Sequence, residues 1–228
     1  MVQKVEAELE ALKKETIEMW TLVYNQVQRA GEAVLTLDKD QARQIIMRER
    51  RVNAFELKID SDVEDMIALY NPVAVQLRFV LATLKINTNL ERIGDFAEGL
   101  ARFVLDFKGP ALDPELVRKL RLAEMVDQVK EMLQTLFDAF EKENADIATK
   151  VFEMDQKVDD INRSSLDILT EYILESPENN ALDALHMVGI FRKLERIGDH
   201  STNMAEEIVF YLDAKVLKHQ GKTNERFE

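Results

Sequence analysis

A chain of 228 residues, 46% of them hydrophobic, is long enough for one domain or two small ones and too apolar to stay disordered. Its 43 acidic residues against 30 basic give a formal charge of −13 and a pI near 4.8, a field that repels nucleic-acid phosphates, so direct nucleic-acid binding is not expected. Without cysteine there are no disulfides, no thiolate metal sites and no cysteine nucleophile, which fits a reducing compartment.

Seven glycines and four prolines, set among Ala, Leu, Glu, Lys, Arg, Gln and Met, predict an all-α fold. The start, Met1 to Leu12, carries Lys4, Glu6, Glu8 and Glu10, which is neither the basic region nor the apolar run of a signal peptide, so a cytoplasmic location is expected. A first helix shows an apolar stripe through Leu9, Leu12, Met19, Leu22, Val23, Val27 and Val34. Asp38, Lys39 and Asp40 interrupt it and suit the cap of a second helix. Tyr70, Asn71 and Pro72 end that helix and open a third, with the proline expected at an early helical position. The most apolar stretch, Val73 to Leu84, contains Gln76 and Arg78 and is far shorter than the roughly 20 residues of a membrane span.

Lys108, Gly109 and Pro110, followed closely by Asp113 and Pro114, form the strongest punctuation and mark a domain boundary. Beyond it, Leu116, Leu120, Leu122, Val126, Val129, Leu133 and Leu136 read as one continuous fourth helix. Softer breaks at Lys142–Asn144 and Glu175–Asn180 complete six long helices, whose short connections imply antiparallel neighbours. Leu90, Glu91, Arg92, Ile93, Gly94 and Asp95 recur identically as Leu194, Glu195, Arg196, Ile197, Gly198 and Asp199, an offset of 104. A weaker match of Glu49–Asn53 to Asp155–Asp159, with Val52 answering to Val158, has an offset of 106, and a two-residue difference in the turn reconciles the two. The halves are residues 1–108 and 112–217, three helices each, and 218–228 reads as a flexible tail.

Glu91 and Asp95 are four apart, as are Glu195 and Asp199, so each pair shares a helix face. Composition alone yields about eight acidic pairs at that spacing, so one pair carries little information. Position in the hairpin carries more. Asp155 and Asp159 lie 22 and 18 residues before Pro177, and Glu195 and Asp199 lie 18 and 22 after it, which puts four carboxylates at one height of an antiparallel pair. Measured from Asn71, Glu49 and Asn53 lie 22 and 18 before, and Glu91 and Asp95 lie 20 and 24 after. Converging carboxylates suit hard cations: iron, manganese, magnesium or calcium, with room for zinc. The competing reading is surface ion pairing with Arg92, Arg196, Lys157 and Arg163, each worth at most about 1 kcal/mol. Gly94 and Gly198 each cost about 1 kcal/mol in mid-helix relative to alanine, so a side chain there would obstruct either a bound group or a closely packed helix.

The paired Glu-Arg-Ile-Gly-Asp segments, with Asp40–Arg43, Ala68–Pro72 and Val158–Asp159, resemble the repeats of PhoU proteins over nearly the whole chain. That resemblance implies two tandem three-helix bundles related by an internal pseudo-twofold axis. It implies metal clusters, iron or zinc above manganese or magnesium, held by Asp155, Asp159, Glu195 and Asp199, with Asn203 and Glu206 as accessory groups. In the first half the ligands would be Glu49, Glu91 and Asp95, with Glu56 and Asp60 as lesser candidates. Asn53, Gly99 and Arg102 depart from the second-half pattern and predict a weaker or empty first site. The implied function is negative regulation of the phosphate-starvation response, between the ATPase of the Pst phosphate transporter and the PhoR sensor kinase, with the membrane reached only through those proteins.

Three other readings stand beside it: a carboxylate-bridged metalloenzyme of ferritin-like type, a metal-binding helical adaptor unrelated to phosphate, and a purely structural adaptor whose acidic face docks a basic partner without metal. Ferritin-like sites use Glu-x-x-His, and His186, His200 and His219 are all wrongly placed for it. His200 reads as a surface residue. No nucleophile and base pair or phosphate-cradling loop is present, so no enzyme is expected. An exposed apolar stripe on an outer helix would favour a homodimer.

Overall fold

The computed structural model describes residues 2–109 and 111–217; the tail at 218–228 lies outside them. Among the described residues there are seven helices and no strand: α1 (Val2–Thr36), α2 (Lys39–Tyr70), α3 (Val75–Asp106), α4 (Pro114–Lys119), α5 (Leu122–Glu141), α6 (Ala145–Glu175) and α7 (Pro177–Asp213). The six long helices expected are present. α1, α2 and α3 pack on one another, as do α5, α6 and α7, and the two sets join through α3 against α7 and α1 against α5. No described helix is long and apolar enough to cross a membrane.

The caps show why the chain breaks where it does. Asp38 accepts hydrogen bonds from the Asp40 and Gln41 amides at 2.9 Å, and Asn144 accepts from Ile147 at 3.2 Å, each satisfying otherwise orphaned helix N–H groups. Asn71 ends α2 in the left-handed conformation, a role its short polar side chain tolerates. Pro72, however, is not helical: α3 begins only at Val75, after Ala74 has also adopted a positive φ of 48°. Pro177 does open α7, with only Ser176 between it and the end of α6.

The expected fourth helix is broken into α4 and α5 at Arg121, whose φ is 56°. Leu120 and Leu122 explain the break. Two positions apart on a continuous helix they would project about 200° from one another, yet they are 1% and 0% exposed. The left-handed residue between them turns both inward.

One continuous apolar core runs through both halves. α3 and α7 are antiparallel: Arg78 donates to the Tyr211 carbonyl at 3.4 Å, Asn89 meets His200 at 2.8 Å, and the Phe103 ring lies 5.5 Å from that of His186. Phe96 and His200 are equivalent positions of the two repeats, and their rings are 5.6 Å apart. The pseudo-twofold axis therefore passes between them.

Candidate metal centre

Each repeated glycine lets the carboxylate-bearing helix come close. A Cβ at Gly94 would stand 3.2 Å from Glu49 Oε1 and 3.2 Å from Val52, while one at Gly198 would stand 2.7 Å from Asp155 Oδ1 and 3.5 Å from Val158. So α2 meets α3, and α6 meets α7, in the register that the hairpin spacing predicted. The two explanations for the glycines coincide, because the closely packed object is the acid itself.

In the first repeat the central group is Glu49, only 5% exposed. Its Oε2 accepts a hydrogen bond from Gln26 Nε2 at 2.7 Å, and its Oε1 is buried with no partner. Burial pushes this carboxyl up to about 7, the nearby charges of Asp95, Glu98 and Glu91 add to the rise, and the Gln26 bond opposes it. Glu91 is raised by burial, then by Asp95 and Glu56, and Glu56 itself is raised by burial and by Asp60. These acids form one electrostatic community with a negative surplus. Arg92 offsets it only from the rim, at 3.5 Å from Glu91 and 3.7 Å from Asp95.

In the second repeat Asp155, Glu195 and Asp199 are half-buried and Asp159 is exposed. Arg196 lies 3.5 Å from Asp199, and Arg163 pairs with Asp160. Asn53 is exposed, as is its counterpart Asp159, so the acid missing at 53 would have faced solvent. At Gly99 the end of the Lys193 side chain of α7 comes within 2.5 Å of where a Cβ would stand, a contact that a flexible side chain can relieve. Arg102 pairs with Glu98, and Asp60 accepts from Asn87 Nδ2 at 2.8 Å. Asn203 is exposed, and Glu206 lines a separate cleft of about 110 Å³ with Lys85 and Phe210. Among the described residues no three His, Asp or Glu side chains converge into a finished cation cage. What the fold supplies is a row of acids, one of them buried and half-satisfied.

Two participants escaped the sequence reading. Gln26 lies between Val23 and Val27 on the apolar stripe of α1, and Gln128 lies between Val126 and Val129 on α5; they are 2% and 8% exposed. A glutamine inside an apolar stripe in both repeats was the available signal. Gln128 Nε2 has no hydrogen-bond partner. His200 is half-buried rather than on the surface. Asn89 Nδ2 donates to the Lys85 carbonyl, so its Oδ1 faces His200 and places a proton on Nδ1 of that ring. Burial, then Arg196 and Arg92, lower the imidazole pKa against the pull of Asp199.

Comparison with known proteins places both repeats. The family model described as the PhoU domain matches residues 16–104 and again 122–208. The chain is 30% identical over 213 residues to the phosphate-specific transport system accessory protein PhoU homolog 1 of Thermotoga maritima, covering 93% of this chain and 90% of that one. It is 32% identical over 217 residues to the phosphate-specific transport system accessory protein PhoU of Escherichia coli K12, covering 94% and 88%. The crystal structure of PhoU from Pseudomonas aeruginosa superposes with a TM-score of 0.87 at 31% identity, covering 92% of this chain and 99% of that one.

Proposed function

The chain belongs to the PhoU family, and from that premise we propose that it is a non-enzymatic regulator of phosphate uptake and phosphate-starvation signalling. It acts in the cytoplasm by contact with the ATPase of the Pst transporter and with the PhoR sensor kinase. What supports this reading is that the likeness to transport-system accessory proteins runs through both repeats and nearly the whole chain. A net charge of −13 fits a protein that works on other proteins rather than on DNA or on free phosphate. Deleting the gene is expected to derepress phosphate-starvation genes in phosphate-rich medium, and a plasmid copy to restore repression. An unchanged reporter in the deletion strain would remove the proposal.

A bound cation belongs to the same reading, with iron or zinc ahead of manganese or magnesium. Glu49, Glu91 and Asp95 would hold it in the first repeat, and Asp155, Asp159, Glu195 and Asp199 in the second. The donor set fits: acids only, with Glu49 and Glu91 raised by burial and by neighbouring carboxylates, and an unpartnered oxygen on Glu49. The cation would supply compensating charge and rigidity rather than chemistry on a substrate. Elemental analysis of protein purified without chelator is expected to find metal that falls in Asp155→Asn/Asp199→Asn, and that falls less in Glu49→Gln/Asp95→Asn, where the site is the weaker. Equal metal in wild type and both double variants would rule out these sites. A homodimer is carried with this reading, and its apolar surface would come from Leu174, Leu182 and Leu185, which are 73%, 62% and 66% exposed beside the α6–α7 turn.

A further inference from the structure

A groove runs between α1 and α2 in the first repeat. Setting Gln26 against Gln128, an offset of 102, places the first residue of α5, Leu122, against Trp20 of α1. The stretch of α1 before Trp20 thus has no continuous counterpart, because the second repeat turns away there into α4. At the equivalent end of α6, the segment leading into α4 comes alongside, and its Asp113 carboxylate helps to raise the Tyr172 hydroxyl pKa, after burial. The groove between α1 and α2 has a volume of about 170 Å³. Leu12 and Met66 form its buried floor, and Leu69, 72% exposed, forms its lip. Beyond the lip, Val73 and Val75 are 69% and 57% exposed, so apolar surface continues over the α2–α3 turn.

Four carboxylates edge this groove: Glu8, Glu15, Asp62 and Asp65. The Tyr70 hydroxyl donates to Glu8 at 3.2 Å, and Lys58 pairs with Glu15 and lies 3.8 Å from Asp62. Glu15 Oε2 is buried with no donor in reach. It faces the Asp62 carboxyl, and a hydrogen bond between the two exists only when one of them keeps a proton. Burial, this contact and the charge of Asp65 accordingly hold Asp62 up at about 6, against the pull of Lys58. Lys58 and Lys4, the latter 5.4 Å from the Tyr70 ring centroid, leave the four carboxylates in excess of positive charge.

We propose that this groove docks a basic side chain, an arginine above all, presented by an amphipathic basic and apolar segment of a partner protein. The aliphatic stem lies on Leu12 and Met66, as long cationic side chains do on apolar surface. The planar fork meets Glu15, whose Oε2 is buried without a donor, and the Asp62 carboxylate beside it. Apolar residues of the same segment cover Leu69 and the Val73–Val75 turn, in the manner of a helix laid in a groove. The surface is separate from the acids of the metal centre, and its binding does not depend on the phosphate reading.

The test uses a fluorescein-labelled amphipathic helix of about 18 residues built from Leu, Ala and Arg, and a twin in which every Arg is citrulline, followed by fluorescence anisotropy on the full chain. The Arg peptide is expected to bind wild type, with Glu15→Gln/Asp62→Asn weakening it about ten-fold and the citrulline twin binding about ten-fold more weakly. Leu69→Ala, at an exposed position that leaves folding intact, is expected to weaken binding about three-fold. Glu175→Gln/Glu178→Gln, exposed acids of the other repeat, serves as the charge-matched control and should bind within about two-fold of wild type. Equal losses in the two double variants would mean diffuse attraction to an acidic surface and would overturn the proposal. So would unchanged binding in Glu15→Gln/Asp62→Asn, or a dimer in sedimentation velocity that Leu69→Ala dissociates, which would give the groove to a second copy of the chain.

Discussion

Glu49→Gln is expected to stabilise the metal-stripped protein by about 3 kcal/mol at pH 8 and to change it little at pH 4, a gap that follows from a carboxyl pushed up from 4.5 to about 7 in the fold. The sign comes from the direction of the shift. The carboxyl titrates at about 7 in the fold against an ordinary 4.5, so between those values the native protein holds a proton that the unfolded chain has released. Stability falls as pH rises through that window. The full penalty is present above about 7 and is absent below about 4.5. Glutamine removes the charge and keeps the shape, and Gln26 can turn its amide to offer Oε1, which has no partner in the wild type. Urea unfolding of chelator-treated protein across pH 4–8 reads this directly. The steep part of the wild-type slope should disappear in the variant, and should also flatten on adding the native cation. Identical slopes in wild type and variant would show that Glu49 is not the group responsible.

Trp20→Ala is expected to cost about 3–5 kcal/mol, a large share of the roughly 5–15 kcal/mol that holds a domain together. The ring is 0% exposed and sits where α1 crosses α5. It meets Phe137 edge-on at 6.2 Å and Phe140 at 5.7 Å, and its Nε1 donates to the Leu133 carbonyl at 3.3 Å. Truncation opens a cavity at the junction of the two repeats rather than inside either one. Thermal or chemical melts should therefore show either a large drop in midpoint or separation into two transitions, as the repeats lose their shared wall. Trp20→Phe is expected to cost about 1 kcal/mol, because the Leu133 carbonyl keeps its place in the α5 helical ladder and most of the ring volume remains. A loss below about 1 kcal/mol in Trp20→Ala would contradict a shared core.

Legibility in the sequence tracked how local the determinant was. Asp38 and Asn144 announce their helices because a cap needs only its own next three residues. The glycine register was readable because identical hexapeptides measured from a turn must meet their partner helix at a fixed height. The break at Arg121 was not readable, since no glycine or proline marks it and its cause is the shared burial of Leu120 and Leu122 against other helices. Pro72 misled for the same reason: its fixed φ suits a helix start, yet Asn71 and Ala74 bend the connection so that α3 begins later. At the site, the acids on α2, α3, α6 and α7 could be placed by counting. Gln26 and the burial of Glu49 depend on α1 closing over them, which no spacing within the hairpin reports. His200 was misplaced because its surroundings come from α3, in the other repeat.

The pairing of Phe96 with His200 across the pseudo-twofold axis has a consequence for how such a chain diverges. In an assembly of two identical single-repeat subunits, a residue beside the axis faces its own copy, and any change appears on both sides at once. Covalent fusion lifts that restriction. Here the Asn89–His200 hydrogen bond has no mirror image, since Lys193 and Phe96 occupy the matching positions, and Lys193 instead lies where a side chain at Gly99 would be. At this seam the two halves have come to differ chemically, while the Glu-Arg-Ile-Gly-Asp segments beside it are identical.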